Sequence, residues 1–345
     1  MQSKILWQQA AGDTSRNYAK ICLDWNVILN GPGYTGHWST GEKILKEEGW
    51  TSRKLTDLRR FAEEMKSGDL VVLRLGTSQV CGVGEVVGNY EWSDAFGDID
   101  GWDLQHVRRV RWFWKLGDQR PAFKKYAMKQ GDTTQKLKNG AVFDWVQTLS
   151  VPDEKPALID LPGTDDMAFE FEALSEYLFE QGVASDSIEN LLKEVGELTR
   201  IAKWYKKYDN PSESETVAYL AVPLLRALGW TPQKMAIEWN RVDVALFEKL
   251  PRSDEVLAVV VEAKRKDASC LSAMSQAETY ARLRPSCNRL IVTDGIRFGV
   301  FIKREDKFEL HAYMNLTRLR NKNPAYRCAG VNEAMLAMTP EWNGT

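Results

Sequence analysis

Cysteine is scarce in this chain, with five in 345 residues and no two close enough to form a C-x-x-C pair. Neither a zinc site built on such pairs nor a disulfide framework is therefore expected. Long hydrophobic runs are missing as well: nothing approaches the roughly eighteen apolar residues that a membrane-spanning helix needs. The opening MQSKILWQQAAGD has no apolar signal-peptide core. A soluble, cytoplasmic protein with no membrane partner is expected. A phosphate-cradling loop is also absent. Gly36 to Lys43 keeps the four-residue gap between glycines but puts Glu42 where the lysine must follow, and Gly82 to Gly88 carries Val87 at the third glycine position of a dinucleotide fingerprint. Both stretches read as turn and tight-strand glycines, so ATP is not an expected partner.

The net charge of −2 conceals a segregation. Residues 101–140 carry ten Lys/Arg against three Asp/Glu, whereas residues 153–197 carry thirteen acidic residues against two lysines. A basic block beside aromatics suits phosphates, and an acidic block repels them. Nine of the thirteen tryptophans precede residue 150, which marks the first half as a different module. The length suits two domains, each with its own core. Pro, Gly and Asp cluster over 151–166, and the expected division is 1–152, an acidic helical linker over 153–208, and 209–345.

Within the first module, Leu55, Leu58 and Phe61 share a helical face, and DLVVLRL and CGVGEVVGNYEW read as valine-rich strands. In the middle, Leu191, Val195, Leu198 and Ala202 form a helical seam expected to pack within the chain. From Glu213 the pattern runs helix, turn, strand, strand, helix, strand, with Pro223 a candidate kink. That order predicts an α/β sandwich on a mixed sheet.

Glu262 and Lys264 stand two apart on an apolar strand, so both point to one side of the sheet. A buried strand has no cheap place for an unpaired carboxylate. Asp243, on the preceding strand, can meet them. Two acids beside an ammonium suit a Mg²⁺ (or Mn²⁺) site for phosphodiester cleavage; a plain ion pair at a strand end is the alternative. On the following helix Gln276 and Tyr280 share a face at i, i+4.

The ordered blocks ETVAYLAVPLLRALGW, EWNRVDVALF, VVVEAKRK, QAETY and LIVTDGIRFGVF span about residues 210–305. Together they resemble the PD-(D/E)XK nuclease domain at the N-terminus of type I restriction motor subunits. The resemblance implies catalytic roles for Asp243, Glu262 and Lys264, with Glu215 completing the metal site and Gln276 and Tyr280 contacting nucleic acid. Val242 precedes Asp243, so the proline of the family name is absent.

The first 150 residues, through LWQQAAGDTSRNYAKICLDWNVILNGPGYTG, FAEEMKSGD, LVVLRLGTSQVCGVGEVVGNYEW and HVRRVRW, resemble a PUA-like domain of the EVE and YTH sort. This implies a small mixed β-barrel that reads modified bases. A flipped base must be stacked between rings. Trp25 and Trp38 flank the loop NGPGYTGH and are the first cage candidates, followed by Trp7 and Trp92; Arg108, Arg109 and Arg111 are candidates for flanking phosphates. The combined expectation is a modification-dependent DNA endonuclease acting in phage defence as a homodimer. The alternatives are a non-catalytic regulator with a nuclease fold and a nuclease acting on modified RNA.

Overall fold

A computed structural model describes residues 4–13, 15–117, 121–151, 157–342 and 344. The chain forms two compact units, Met1–Gly163 and Thr164–Thr345.

In the first unit the elements run β1 (Leu6–Ala10), α1 (Ala19–Asp24), β2 (Val27–Asn30), α2 (Trp38–Glu47), α3 (Ser52–Arg59), β3 (Leu70–Leu75), β4 (Gln79–Trp92), β5 (His106–Lys115), β6 (Thr134–Lys136) and α4 (Ala141–Gln147). The strands make one six-stranded sheet of order β2-β5-β4-β3-β1-β6, in which only β1 and β3 pair in parallel. Register shifts within β4 bend it, as bulges do, and the sheet curls. Its two edges approach closely: Asn30 Nδ2 on β2 donates to Thr134 Oγ1 on β6 at 3.0 Å. The unit is therefore a curled half-barrel whose edges are joined by side chains. Helix α3 begins at a Thr51 cap and runs into a π turn, Arg60–Glu64, with Leu55, Leu58 and Phe61 buried as their spacing predicts.

The second unit contains α5 (Phe171–Glu180), α6 (Ser185–Tyr208), α7 (Glu213–Thr216), α8 (Val222–Ala227), β7 (Met235–Trp239), β8 (Val242–Phe247), β9 (Leu257–Ala263), α9 (Met274–Ala281), β10 (Arg289–Thr293), β11 (Arg297–Arg304), β12 (Lys307–Asn315), β13 (Lys322–Asn323), β14 (Cys328–Ala329) and α10 (Val331–Ala337). Its eight strands form a mixed sheet, β13-β14-β12-β11-β10-β9-β8-β7, with β9 and β10 parallel. Both faces are covered. On one, α6, α8 and α10 pack Leu198, Leu224 and Met335 against Val244, Val259, Val261 and Val300. On the other, Ala277 and Ala281 of α9 meet Ala245, Val260, Leu290 and Val292. Pro223 falls in the first turn of α8, where its missing N–H costs little, and a π turn, Val217–Ala221, takes up the irregularity.

The helical part of the acidic stretch, Ser185–Tyr208, packs into the second unit. Leu191, Val195, Leu198 and Ala202 are buried in the same core as Leu220 and Leu224, so α6 is a wall of the second unit with its acids turned outward. All five cysteines are free, and no described helix is long and apolar enough to cross a membrane.

Candidate active site and aromatic pocket

Strand β9 is buried along its whole length, which fixes the environment of Glu262. Val244 of β8 lies opposite Val261 of β9, so Asp243 and Glu262 follow at the open end of that pair. Asp243 Oδ2 accepts the Ala263 N–H at 2.7 Å. Glu262 is 1% exposed, and its Oε1 lies 3.3 Å from Lys264 Nζ while its buried Oε2 has no hydrogen-bond partner. Burial first, and the Asp243 charge second, push the Glu262 carboxyl up to about 7; Lys264 opposes the shift. A buried oxygen without a donor, in a carboxyl that resists ionisation, marks a site short of positive charge.

Lys264 lies one residue beyond β9, its N–H donating to the Thr293 carbonyl at 2.7 Å. Its ammonium also donates to Gln276 Oε1 at 3.2 Å, and Gln276 Nε2 donates to Tyr280 OH at 3.3 Å. Five of the sequence candidates are thus brought into one neighbourhood, from a buried floor at Glu262 to an exposed rim at Gln276.

Glu215 is not among them. It closes a capping box at the start of α7, its Oε2 accepting both the N–H and the hydroxyl of Ser212 at 2.8 Å, and these bonds hold its carboxyl below its usual range. The neighbouring acid Glu213 instead adds to the negative charge felt by Glu262. Glu213 is absent from the sequence candidates, although the S-x-x-E spacing of Ser212 and Glu215 is itself the capping-box signature that commits Glu215 elsewhere. Lys266 Nζ, donating to the Asp209 carbonyl at 3.2 Å, ties the end of α6 to the loop after β9.

No group of three His, Cys, Asp or Glu side chains is placed to hold a metal among the described residues. Magnesium does not demand one: it is usually held by one or two carboxylates, with water and substrate phosphate completing its octahedron. Asp243 and the orphaned Glu262 oxygen fit that requirement.

In the first unit the tryptophan expectations are redistributed. Trp7 is fully buried and donates its indole N–H to Asp69 Oδ2 at 2.9 Å; Trp38 is buried and donates to Glu63 Oε1 at 2.8 Å. Both are core residues with their polar ends satisfied. Trp92 is half-buried and donates to the Gly33 carbonyl at 2.8 Å, while Trp25 is half-buried at the end of α1. A pocket of about 380 Å³ lies among other rings, Tyr18, Tyr34, Trp50 and Trp102, with Lys54 and Asp103 supplying polar groups.

The ring positions are fixed by their neighbours. Trp102 meets Tyr18 edge-on with centroids 6.0 Å apart, and the Arg16 guanidinium sits 4.9 Å above its ring. The indole N–H of Trp50 donates to Tyr34 OH at 3.1 Å. Lys54 Nζ is held by Asn30 Oδ1 at 3.0 Å and Asp57 Oδ2 at 2.9 Å. The loop after β2 needs glycine here, because a Cβ at Gly31 would lie 2.2 Å from the Asp103 carbonyl. The pocket thus borders the loop that the sequence singles out, but with different tryptophans. Trp50 and Trp102 are far from each other along the chain, and only the fold brings them to one cavity.

Of the three arginines of β5, one is taken up by the fold. Arg108 is buried and donates to the carbonyls of Phe61, Ala62 and Met65 at 2.9, 2.7 and 2.7 Å. These are acceptors left over at the end of the helical segment, so Arg108 is a helix cap rather than a phosphate ligand. Arg109 is half-buried and donates to the Ile159 carbonyl, and Arg111 is half-buried.

A family model described as a domain of unknown function (DUF8426) matches residues 7–137, a span that encloses every residue lining the aromatic pocket. No curated protein and no solved structure matches the chain.

Proposed function

We propose that the protein is a modification-dependent DNA endonuclease: a PUA-like first unit reads a modified base, and a PD-(D/E)XK second unit hydrolyses phosphodiester bonds. The observation that carries the reading is the Glu262 carboxyl, buried with one oxygen unpartnered beside Asp243 and Lys264. A purely structural ion pair satisfies its own oxygens; this one leaves an acceptor for a cation.

Asp243 and Glu262 would hold Mg²⁺ or Mn²⁺, which supplies Lewis-acid stabilisation of the charge that grows on the phosphate. Lys264, oriented by Gln276, faces the same place with an ammonium that can position a water for in-line attack. Glu262 ionises more readily when a cation is present, which couples metal binding to the charge state of the site. In the first unit the aromatic walls suit a flat ring, and Lys54 and Asp103 offer a donor and an acceptor for its edge. Cutting both strands with one centre per chain calls for two copies of the protein acting together, and a role in defence against phage DNA follows from the pairing of reader and nuclease.

Incubating the protein with Mg²⁺ and matched plain, 5-methylcytosine, hydroxymethylcytosine and glucosylated DNAs tests the proposal. One modified DNA is expected to be cut, and Asp243→Ala or Lys264→Ala is expected to abolish the cut while leaving the protein cooperatively folded. Wild-type cleavage by either variant would falsify the site. Cleavage of modified RNA in preference to DNA would reassign the substrate.

A further inference from the structure

Helix α3 contributes to two cavities: Lys54 lines the aromatic pocket, and Thr56 lines a second, polar groove of about 380 Å³. Lys54 faces the pocket, and Arg60, just beyond the helix, faces the groove with Lys129, Lys136 and Lys138; Glu64 and Asp132 are its acids. Both acids are engaged, Glu64 by Lys136 at 2.8 Å and Asp132 by Arg60 at 3.0 Å and by Gln135 at 2.6 Å. Lys129 and Lys138 stand exposed.

The chain joins the two cavities directly, since Asp132 lines the groove and Thr133 lines the pocket. The segment between them is held from beneath by buried polar side chains. Gln8 donates to the Lys129 carbonyl at 2.9 Å and accepts the Lys129 N–H at 3.1 Å. Arg74 donates to the Asp132 carbonyl at 2.9 Å, and Asp57 accepts the Thr134 N–H at 2.6 Å. Three buried anchors on one short stretch make a rigid track rather than a loose loop of lysines.

An apolar cavity walled by rings and a basic polar groove, both bordering α3 and the same rigid segment, match a ligand that carries flat aromatic groups on an anionic backbone. We propose that Arg60, Lys129, Lys136 and Lys138 bind the phosphodiester backbone of the nucleic-acid strand whose base enters the aromatic pocket. This rests on the base-reading role proposed above and replaces Arg108 as a phosphate ligand.

The test is a titration of the full chain with modified and plain duplexes at several salt concentrations, for wild type, Lys129→Gln/Lys138→Gln and Lys129→Gln/Lys136→Gln/Lys138→Gln. The double variant changes only exposed side chains, so it keeps the test open should the triple variant unfold. Removing each lysine–phosphate interaction is expected to flatten the log–log salt dependence by about 0.9, hence by roughly two units in the double variant and three in the triple, with both duplexes weakened by a common factor. Unchanged affinity and slope in correctly folded variants overturn the groove. Equal binding of polyglutamate with the same slope also overturns it, by making the site one for acidic protein. If wild type does not distinguish modified from plain DNA while the slopes still flatten, the groove stands and the base-reading role fails.

Discussion

Replacing Glu262 by glutamine is expected to make the metal-free protein more stable and catalytically inert at once. The carboxyl is raised from 4.5 to about 7 by burial and by Asp243, with Glu213 adding to the effect and Lys264 opposing it. For an acid whose folded value lies above its unfolded one, stability is greatest below the unfolded value, falls as pH rises toward the folded value, and stays low above it. At about 1.4 kcal/mol per unit, the interval between 4.5 and 7 amounts to roughly 3 kcal/mol as an upper figure. Glutamine does not titrate and escapes this loss. In a unit of this size about 1 kcal/mol moves the midpoint by roughly 2–4 °C, so the variant should gain about 6–12 °C on wild type between pH 5 and pH 8. The assay is a series of thermal melts in chelator from pH 5 to 8, repeated with excess Mg²⁺. On the proposed reading metal would bind the folded state alone, so excess Mg²⁺ is expected to raise the wild-type midpoint and leave the variant unmoved. A gap that is flat with pH, or that widens toward acid, would refute the account of Glu262 as an uncompensated buried acid.

Two further outcomes follow from the first unit. Trp50→Ala and Trp102→Ala are each expected to cost on the order of 1–3 kcal/mol of binding to modified DNA, the contribution of one stacked base, and to leave weak binding to plain DNA and its salt slope unchanged; a preserved preference in both variants places the base elsewhere. Arg108→Ala leaves three carbonyls at a helix end without their donor and is expected to destabilise the fold by roughly 3–5 kcal/mol. Urea unfolding measures the effect, and a variant of native stability with a flattened salt slope would return Arg108 to the phosphate role.

Where a feature depends on near neighbours in the chain, the sequence was enough. Leu55, Leu58 and Phe61 are buried because helical spacing puts them on one face, and Leu191, Val195, Leu198 and Ala202 for the same reason. The apolar run of β9 required a central strand, and the i, i+2 and i, i+4 spacings brought Glu262 to Lys264 and Gln276 to Tyr280. Local periodicity says which way a side chain points. It does not say what stands opposite. Trp7 and Trp50 are the same residue type in similar company, yet one is sealed against Asp69 and the other walls a pocket. Arg108 reads as a phosphate ligand until α3 and its π turn present three spare carbonyls to it, and the helical part of the acidic stretch finds its place only as α6 covers the second sheet. Glu215 is taken by its own helix cap, while Glu213 adds its charge to the surroundings of Glu262. These outcomes turn on interactions between residues remote in the chain, whose free energy depends on which buried polar groups find partners, and only the folded arrangement decides that.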